Sequence, residues 1–314
     1  MTENSTRFEM KRGVKVFSDH SIVESKKAQD NFIAMIEDAE DLGCEQALNK
    51  HDHNVEYLTD ETRAKYIDFI KIEDSDVVLE IGASMGQHTR LIAKKCNKLE
   101  ALEVVPEQAM FAKLWCEQSG SNNVCFSAGG ASGYLPYESN TFNLVIMNYV
   151  LEWSASRADV NPEIFHLRLL SEIQRILRPG GRMFVSTKNR YSLRIVLGGM
   201  DEHLGIRFGN ALPRVMGRLF SSSQHPDEPK GYLHSRKKFE KLISKAGFSD
   251  LQAILFFPDA RNPAFVEYFD VEGMKKLSSI RVGNLTKKDK LFTKLPAFLK
   301  KNVAASHAYL ARKQ

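Results

Sequence analysis

Cysteine is scarce in this 314-residue chain, and the four present, Cys44, Cys96, Cys116 and Cys125, show no CxxC spacing. Neither a disulfide framework nor a cysteine-bound zinc is implied, and the thiols are expected to be reduced and mostly in the core. No metal is expected elsewhere either. His51, Asp52 and His53 cluster tightly, but no further ligands stand at metal spacing around them, so a solvated loop is the simpler reading. Long apolar runs are missing: nothing approaches the roughly 18 residues needed to cross a bilayer. The opening MTENSTRFEMKRG lacks the apolar stretch of a signal peptide, so a cytoplasmic protein is expected. Charge of one sign is not in large excess. The 44 basic and 39 acidic residues leave +5, scattered along the chain, which argues against a nucleic-acid partner. The exception is KKDKLFTKLPAFLKK, Lys287 to Lys301, which reads as a solvated helix face or as a basic amphipathic helix touching anionic lipid or an acidic glycan precursor. Neither GxxxxGKS nor GxxxxGKT occurs, which excludes a P-loop. Internal repeats and low-complexity segments are absent.

What the chain has is the run VVLEIGASMG, Val77 to Gly86, followed by LEALEV, whose Glu103 comes 21 residues after Gly82. A short apolar run rich in β-branched residues predicts a buried strand. Gly82, Ala83, Ser84 and Gly86 then allow a sharp turn and a close approach of backbone to a ligand. An acid at the tip of the second strand is placed to accept ribose hydroxyls, so the ligand is expected to carry an adenosine, with Glu103 holding both hydroxyls. The dinucleotide pattern G-x-G-x-x-G is not met, because its middle glycine is Ser84 and no glycine follows Gly86 at the required offset. Glu80, inside the first strand, would repel a pyrophosphate but suits an ammonium or sulfonium.

These residues resemble the first two motifs of the class I S-adenosylmethionine-dependent methyltransferases, an acid followed by GxGxG and a second strand ending in Asp or Glu. Further landmarks follow in the family's order: Val124 to Phe126, Leu135-Pro136, FNLVIMNYVLEW from Phe142 to Trp153, and RILRPGGRMFVSTKN from Arg175 to Asn189. The resemblance covers roughly Tyr57 to Phe257. It implies a Rossmann-like α/β fold, a seven-stranded and mostly parallel sheet flanked by helices, with S-adenosylmethionine as cofactor. By position, Glu80, Gly82, Ala83, Ser84, Gly86, Glu103, Val104, Gly130, Ala131, Ser132, Asn148 and Tyr149 are the expected cofactor contacts. The chain departs from the family at three places. GASMG replaces GxGxG, Gly129 to Ser132 lack the usual Asp near the adenine amino group, and Phe142-Asn143 replaces Phe-Asp. Ser132 or a backbone carbonyl is left to accept that amino group, at about half the strength of a charge-assisted bond.

With 43% hydrophobic residues, the chain suits one α/β domain with additions. Residues 1–56 are expected to form an N-terminal helical extension or lid, and 57–314 the methyltransferase domain. YLTDETRAKYIDFI is expected to be a helix capped by Thr59. Glycines, prolines and three serines between Arg190 and Tyr232, including Gly198, Gly199, Pro213, Pro226 and Pro229, predict a cap inserted at about 190–235. FEKLISKAGF then predicts a helix closed by Gly247, LQAILFF a strand, and SHAYLAR the last strand.

A narrower resemblance links TKNRYSLRIVLGGMDEHLG and PDARNP to bacterial methyltransferases encoded with cell-surface polysaccharide machinery. It implies a sugar or other small hydroxyl-bearing acceptor, with oligomeric state left open. His203, in MDEHLG, is the first candidate general base, because imidazole titrates nearest physiological pH, with Asp201 or Glu202 orienting it. Glu152 is the second, with Tyr149 and Trp153 beside it as walls of a methyl pocket. Arg63 is a candidate partner for the cofactor's carboxylate, against the plainer reading of a surface arginine. Two other readings stand beside this one. A non-catalytic relative would keep the fold as a scaffold, and a nucleic-acid methyltransferase is disfavoured because NYVL stands where an NPPY-like tetrapeptide would be.

Overall fold

The computed structural model describes residues 7–17, 21–22, 24–224, 231–259, 261–280, 283 and 285–314. Its strands are β1 Glu9–Lys11, β2 Val14–Val16, β3 Val77–Ile81, β4 Lys98–Glu103, β5 Val124–Ala128, β6 Phe142–Asn148, β7 Leu177–Lys188, β8 Phe248–Phe257, β9 Phe265–Tyr268 and β10 Ser306–Lys313. The chain divides into two compact units, Met1–Met147 with Glu172–Arg182, and Asn148–Ser171 with Met183–Gln314. Strand β7 begins in the first unit and ends in the second.

In the first unit the strands lie in the order β1-β2-β5-β4-β3-β6. From β2 to β6 every pairing is parallel. Glu80 faces Ala101 on one side and Ile146 on the other, so β3 is an inner strand. That position explains its continuous VVLEI run, since an inner parallel strand is covered on both faces. The order reverses between β3 and β6, and in such sheets ligands bind beyond the carboxyl ends of the strands at the reversal. One face is packed by the helix Pro106–Gln118, which brings Phe111 and Trp115 into a cluster with Met35 and Ile36 of the helix Lys26–Leu42. The latter helix starts at Ser25, whose hydroxyl accepts the Ala28 N–H at 3.3 Å.

In the second unit the order is β7-β10-β8-β9, with β10 antiparallel to β8, pairing Tyr309 with Ala253. A bulge between Leu310 and Arg312 breaks the register. Phe165, Phe184, Phe239 and Phe256 are among its fully buried side chains.

Four expectations need correction. The sheet has ten strands, not seven, because β1, β2 and β9 add to it. Two of these lie in the stretch read as a helical extension; strands of three residues are too short to show a period. Thr59 ends the helix Val55–Thr59, and the following 3-10 turn, Glu61–Asp68, is capped by Asp60, whose carboxylate accepts the Thr62 N–H at 2.9 Å. Lys287 to Lys301 is not one helix but two, Lys287–Lys294 and Ala297–Val303. Pro296 forces the break by pushing Leu295 out of the helical region, to ψ 151°. The cap region holds the short helix Leu193–Val196, a turn at Gly209–Ala211 and the helix Arg214–Gln224. Pro226 and Pro229 lie outside the described residues.

Candidate functional site

In the first unit, the carboxyl ends of β3, β4 and β5 bring together Glu80, the turn Gly82–Gly86, Glu103, Val104 and the turn Gly130–Ser132. Gly82 and Ala83 both donate their N–H to Leu102 O, at 2.7 and 3.2 Å, which locks the turn onto β4. Ser84 adopts φ 49°, the left-handed region that a middle glycine would take freely. This turns its N–H onto Glu103 Oε2 at 2.8 Å, while Glu103 Oε1 accepts Val104 at 2.9 Å and Val105 at 3.3 Å. Burial raises the pKa of Glu103, and these three N–H donors oppose the rise. Glu80 is buried, accepts the Thr89 hydroxyl at 2.6 Å and is pushed up to about 7, mainly by burial and further by the Glu103 charge.

S-adenosylmethionine fits this constellation with two amendments. A carboxylate offers about four acceptor positions. Glu103 spends three on backbone, so it can take one ribose hydroxyl and not both. Gly86 is a glycine for packing: at φ 88°, a Cβ there would lie 3.1 Å from Ala112 Cα in the helix Pro106–Gln118. The turn at Gly130, with φ 89°, is closed by Gly133 N–H on Gly130 O, and Ala131 and Ser132 are half-buried. Arg63 is engaged inside the protein. It donates to Tyr57 O at 2.9 Å and Tyr57 Oη at 2.8 Å, and stacks on that ring. Nearby, Tyr66 Oη and His88 Nδ1 are 3.1 Å apart.

The remaining candidates stand in the second unit. Ser186 Oγ donates to Asn148 Oδ1 at 2.6 Å, and Tyr149 N–H donates to Ser186 Oγ at 3.0 Å. Tyr149 is itself left-handed, φ 56°, and meets Phe256 edge-on. Glu152 is completely buried, and neither carboxylate oxygen makes a hydrogen bond of normal geometry with a described residue. Burial therefore raises its pKa, with the nearby Thr187 hydroxyl and Lys188 charge opposing.

His203 is 5% exposed and lines a cavity of about 590 Å³. The cavity lies beyond the ends of β7 and β8, where Lys188, Asn189, Pro258 and Asp259 form part of its wall. Neither ring nitrogen of His203 has a hydrogen-bond partner among the described residues. Burial, then the Lys188 charge, push it down to about 3, so the ring is neutral. Trp153 packs against it with ring centres 4.5 Å apart. Gly231 lies under the ring so closely that a Cβ there would fall 2.1 Å from Nδ1.

The acids beside His203 do not orient its ring. Asp201 accepts the backbone N–H of His203 at 2.9 Å and of Asn210 at 2.6 Å. Glu202 is held by Lys188, by Arg261 at 2.6 Å and by Arg194 at 3.6 Å.

Sequence reading missed several groups. Thr187 and Ser306 are buried, and their hydroxyls, like the Glu152 carboxylate, make no normal hydrogen bond with a described residue. His166 and His234 form a fully buried pair, Nδ1 to Nε2 2.8 Å. His51 of the HDH cluster pairs with Asp38 at 2.8 Å.

Comparisons with known proteins bear on the fold. A methyltransferase domain model matches residues 79–185. A demethylmenaquinone methyltransferase of Lactococcus lactis is 22% identical over 269 residues, 83% of this chain and 96% of that protein. A protein-L-isoaspartate O-methyltransferase of Myxococcus xanthus is 29% identical over 138 residues, 44% of this chain and 54% of the relative. Among solved structures, a proposed S-adenosylmethionine-dependent methyltransferase of Listeria monocytogenes matches with a TM-score of 0.51 at 15% identity, covering 81% of this chain and 97% of that one. The fold is the Rossmann-like class I methyltransferase fold.

Proposed function

We propose that this chain, an S-adenosylmethionine-dependent methyltransferase, methylates a hydroxyl of a sugar or another small polar acceptor held in the cavity of its second unit, with His203 as the general base. One observation carries the reading: a buried, neutral imidazole with no hydrogen-bond partner among the described residues forms part of the wall of a 590 Å³ cavity. Cavities of that size suit small ligands, and buried polar atoms without partners are rare outside functional sites. The wall also carries the Ser192 hydroxyl and the Asp259 carboxylate, groups appropriate to a polyol.

When bound, S-adenosylmethionine supplies a methyl group activated by its sulfonium charge. In the first unit Glu103 would hold one ribose hydroxyl, Ser84 would present the turn, and Glu80 would place negative charge in the same constellation. In the second unit the cavity wall orients the acceptor, and the imidazole of His203 takes the proton from its hydroxyl. Trp153 and Gly231 fix the plane of the ring. The low basicity of the buried imidazole sets its contribution at the lower end of the range for a positioned base. Glu152, whose carboxylate oxygens make no hydrogen bond of normal geometry with a described residue, is the alternative base.

His203→Ala tests the assignment. The expected result is a methyl-transfer rate lower by about 100-fold, with S-adenosylmethionine affinity by calorimetry unchanged. Normal turnover, or affinity lost in step with rate, would move the base to Glu152.

A further inference from the structure

Nine of the twenty large hydrophobic side chains exposed among the described residues fall between Tyr191 and Phe220, a tenth of the chain. Four of them belong to the helix Arg214–Gln224: Val215, 71% exposed, Met216, Leu219 and Phe220, 53% exposed. The reason they face outward is Gly217. It is buried against Gly209, where a Cβ would meet the carbonyl oxygen at 2.7 Å, so the helix turns its small-residue side inward and its apolar side out. Phe208 lies across Gly198, within 2.8 Å of where a Cβ would be, and is 45% exposed. The turn Gly209–Ala211 packs on both Leu193–Val196 and Arg214–Gln224, and Lys287–Lys294 packs on Leu193–Val196. These segments therefore form one continuous surface of the second unit. Isolated exposed hydrophobics need no explanation, but a contiguous group of this size marks an interaction site.

The charge of the same segments says what kind. Residues 190–220 contain five arginines and two acids, and 285–301 contain six lysines and one acid. The acids are already engaged. Asp201 accepts two backbone N–H groups, Glu202 is held by Lys188 and Arg261, and Asp289 closes the capping box of Thr286. Arg194, Arg207, Lys287, Lys290 and Lys294 are exposed. Apolar side chains that can enter an acyl boundary, ringed by an excess of exposed cations of which Arg194 also pairs with Glu202 at 3.6 Å, match the surface of an anionic bilayer.

We propose that this face docks the enzyme on an anionic lipid surface. Arg194, Met200, Lys287 and Lys288 of these segments also line the cavity. The docking itself does not depend on which acceptor the cavity holds.

Cosedimentation of the full chain with phosphatidylcholine vesicles, with and without about 30 mol% phosphatidylserine, tests it. The protein should partition onto the anionic vesicles and not the neutral ones, and should be released as salt rises from about 0.1 to about 0.5 M. Val215→Ser with Phe220→Ser should weaken the partition by about tenfold at an unchanged melting temperature. Lys290→Glu with Lys294→Glu should weaken it without touching the apolar face. Equal binding to both vesicle types, no binding, or binding indifferent to both double variants would overturn the proposal. So would a dimer in light scattering that Val215→Ser with Phe220→Ser splits into monomers.

Discussion

The cofactor side of the first unit and the acceptor side of the second differ in how completely their buried polar groups are satisfied. Glu103 accepts three backbone donors, Glu80 a hydroxyl, and Asp76 pairs with Arg182 at 2.6 Å. Glu152, Thr187, His203 and Ser306 have buried polar atoms without hydrogen bonds to described residues. The first arrangement builds a turn that keeps its shape without a ligand. The second keeps polar atoms waiting for one, at a cost in stability of about 1–3 kcal/mol for each group left unmade. The difference teaches that the proposed adenosine contacts would be scaffold and ligand site at once, whereas the groups of the proposed acceptor side are held by packing.

The largest expected effect sets the two regions against each other through pH. In the second unit His203 and His307 are pushed down to about 3, His166 to about 4 and His234 to about 2, in each case chiefly by burial. Their folded values lie below the ordinary 6.5, so their stability is present above that pH and is lost as pH falls towards the folded values. Glu80, raised to about 7, has the opposite sign. Its contribution is present below its ordinary 4.5 and is lost as pH rises through 7, while His88, at about 3, opposes it within the first unit. Acidification from about pH 7 to about pH 5 should weaken the second unit first, each such histidine contributing up to about 1.4 kcal/mol per pH unit. Peptide-resolved hydrogen exchange should show protection falling in residues 183–257 before 77–128; simultaneous loss in both would erase the distinction.

Gly86→Val comes next. A β-branched side chain at φ 88°, against the backbone of Ala112, should cost about 3 kcal/mol of stability in denaturant titration. A variant of full stability that had lost only cofactor binding would return Gly86 to the ligand site. Glu103→Ala should lower both stability and S-adenosylmethionine affinity, each by roughly 1.5–3 kcal/mol, because one carboxylate serves backbone and ligand. Affinity lost at unchanged stability would show that the three N–H contacts are incidental. The smallest effect belongs to Gly231→Ala, which must displace the His203 ring. A roughly tenfold fall in kcat, or about 1.4 kcal/mol, is expected at unchanged cofactor affinity. An unaltered kcat would mean that the ring position is unimportant.

The motifs that were legible in the sequence are those in which chemistry and local period coincide. β3, the turn at Gly82, β4 ending in Glu103, the helix closed by Gly247 and the last strand all announce themselves within about ten residues. The hairpin of β1 and β2 does not, because three residues carry no period, and only pairing with β5 makes β2 a sheet strand. The roles of Asp201 and Glu202 were equally hidden: proximity in sequence to His203 suggested that they hold its ring, but backbone donors and three distant cations claim them first.

By itself the sequence determined the α/β class, the order of the strands from Val77 to Phe257, and the acid-and-glycine motif at the ends of β3 and β4. These follow from short-range rules, since a strand's apolar period, a glycine turn and an acid at a strand tip act through neighbours along the chain. Only the tertiary structure decided that Gly86 serves a helix, that Glu103 has one acceptor position left, that Thr187 and Ser306 are buried without hydrogen bonds to described residues, and that His203 rests on Gly231. Each of those depends on atoms brought together from far along the chain, and burial, which sets the value of every polar group, exists only once they have met.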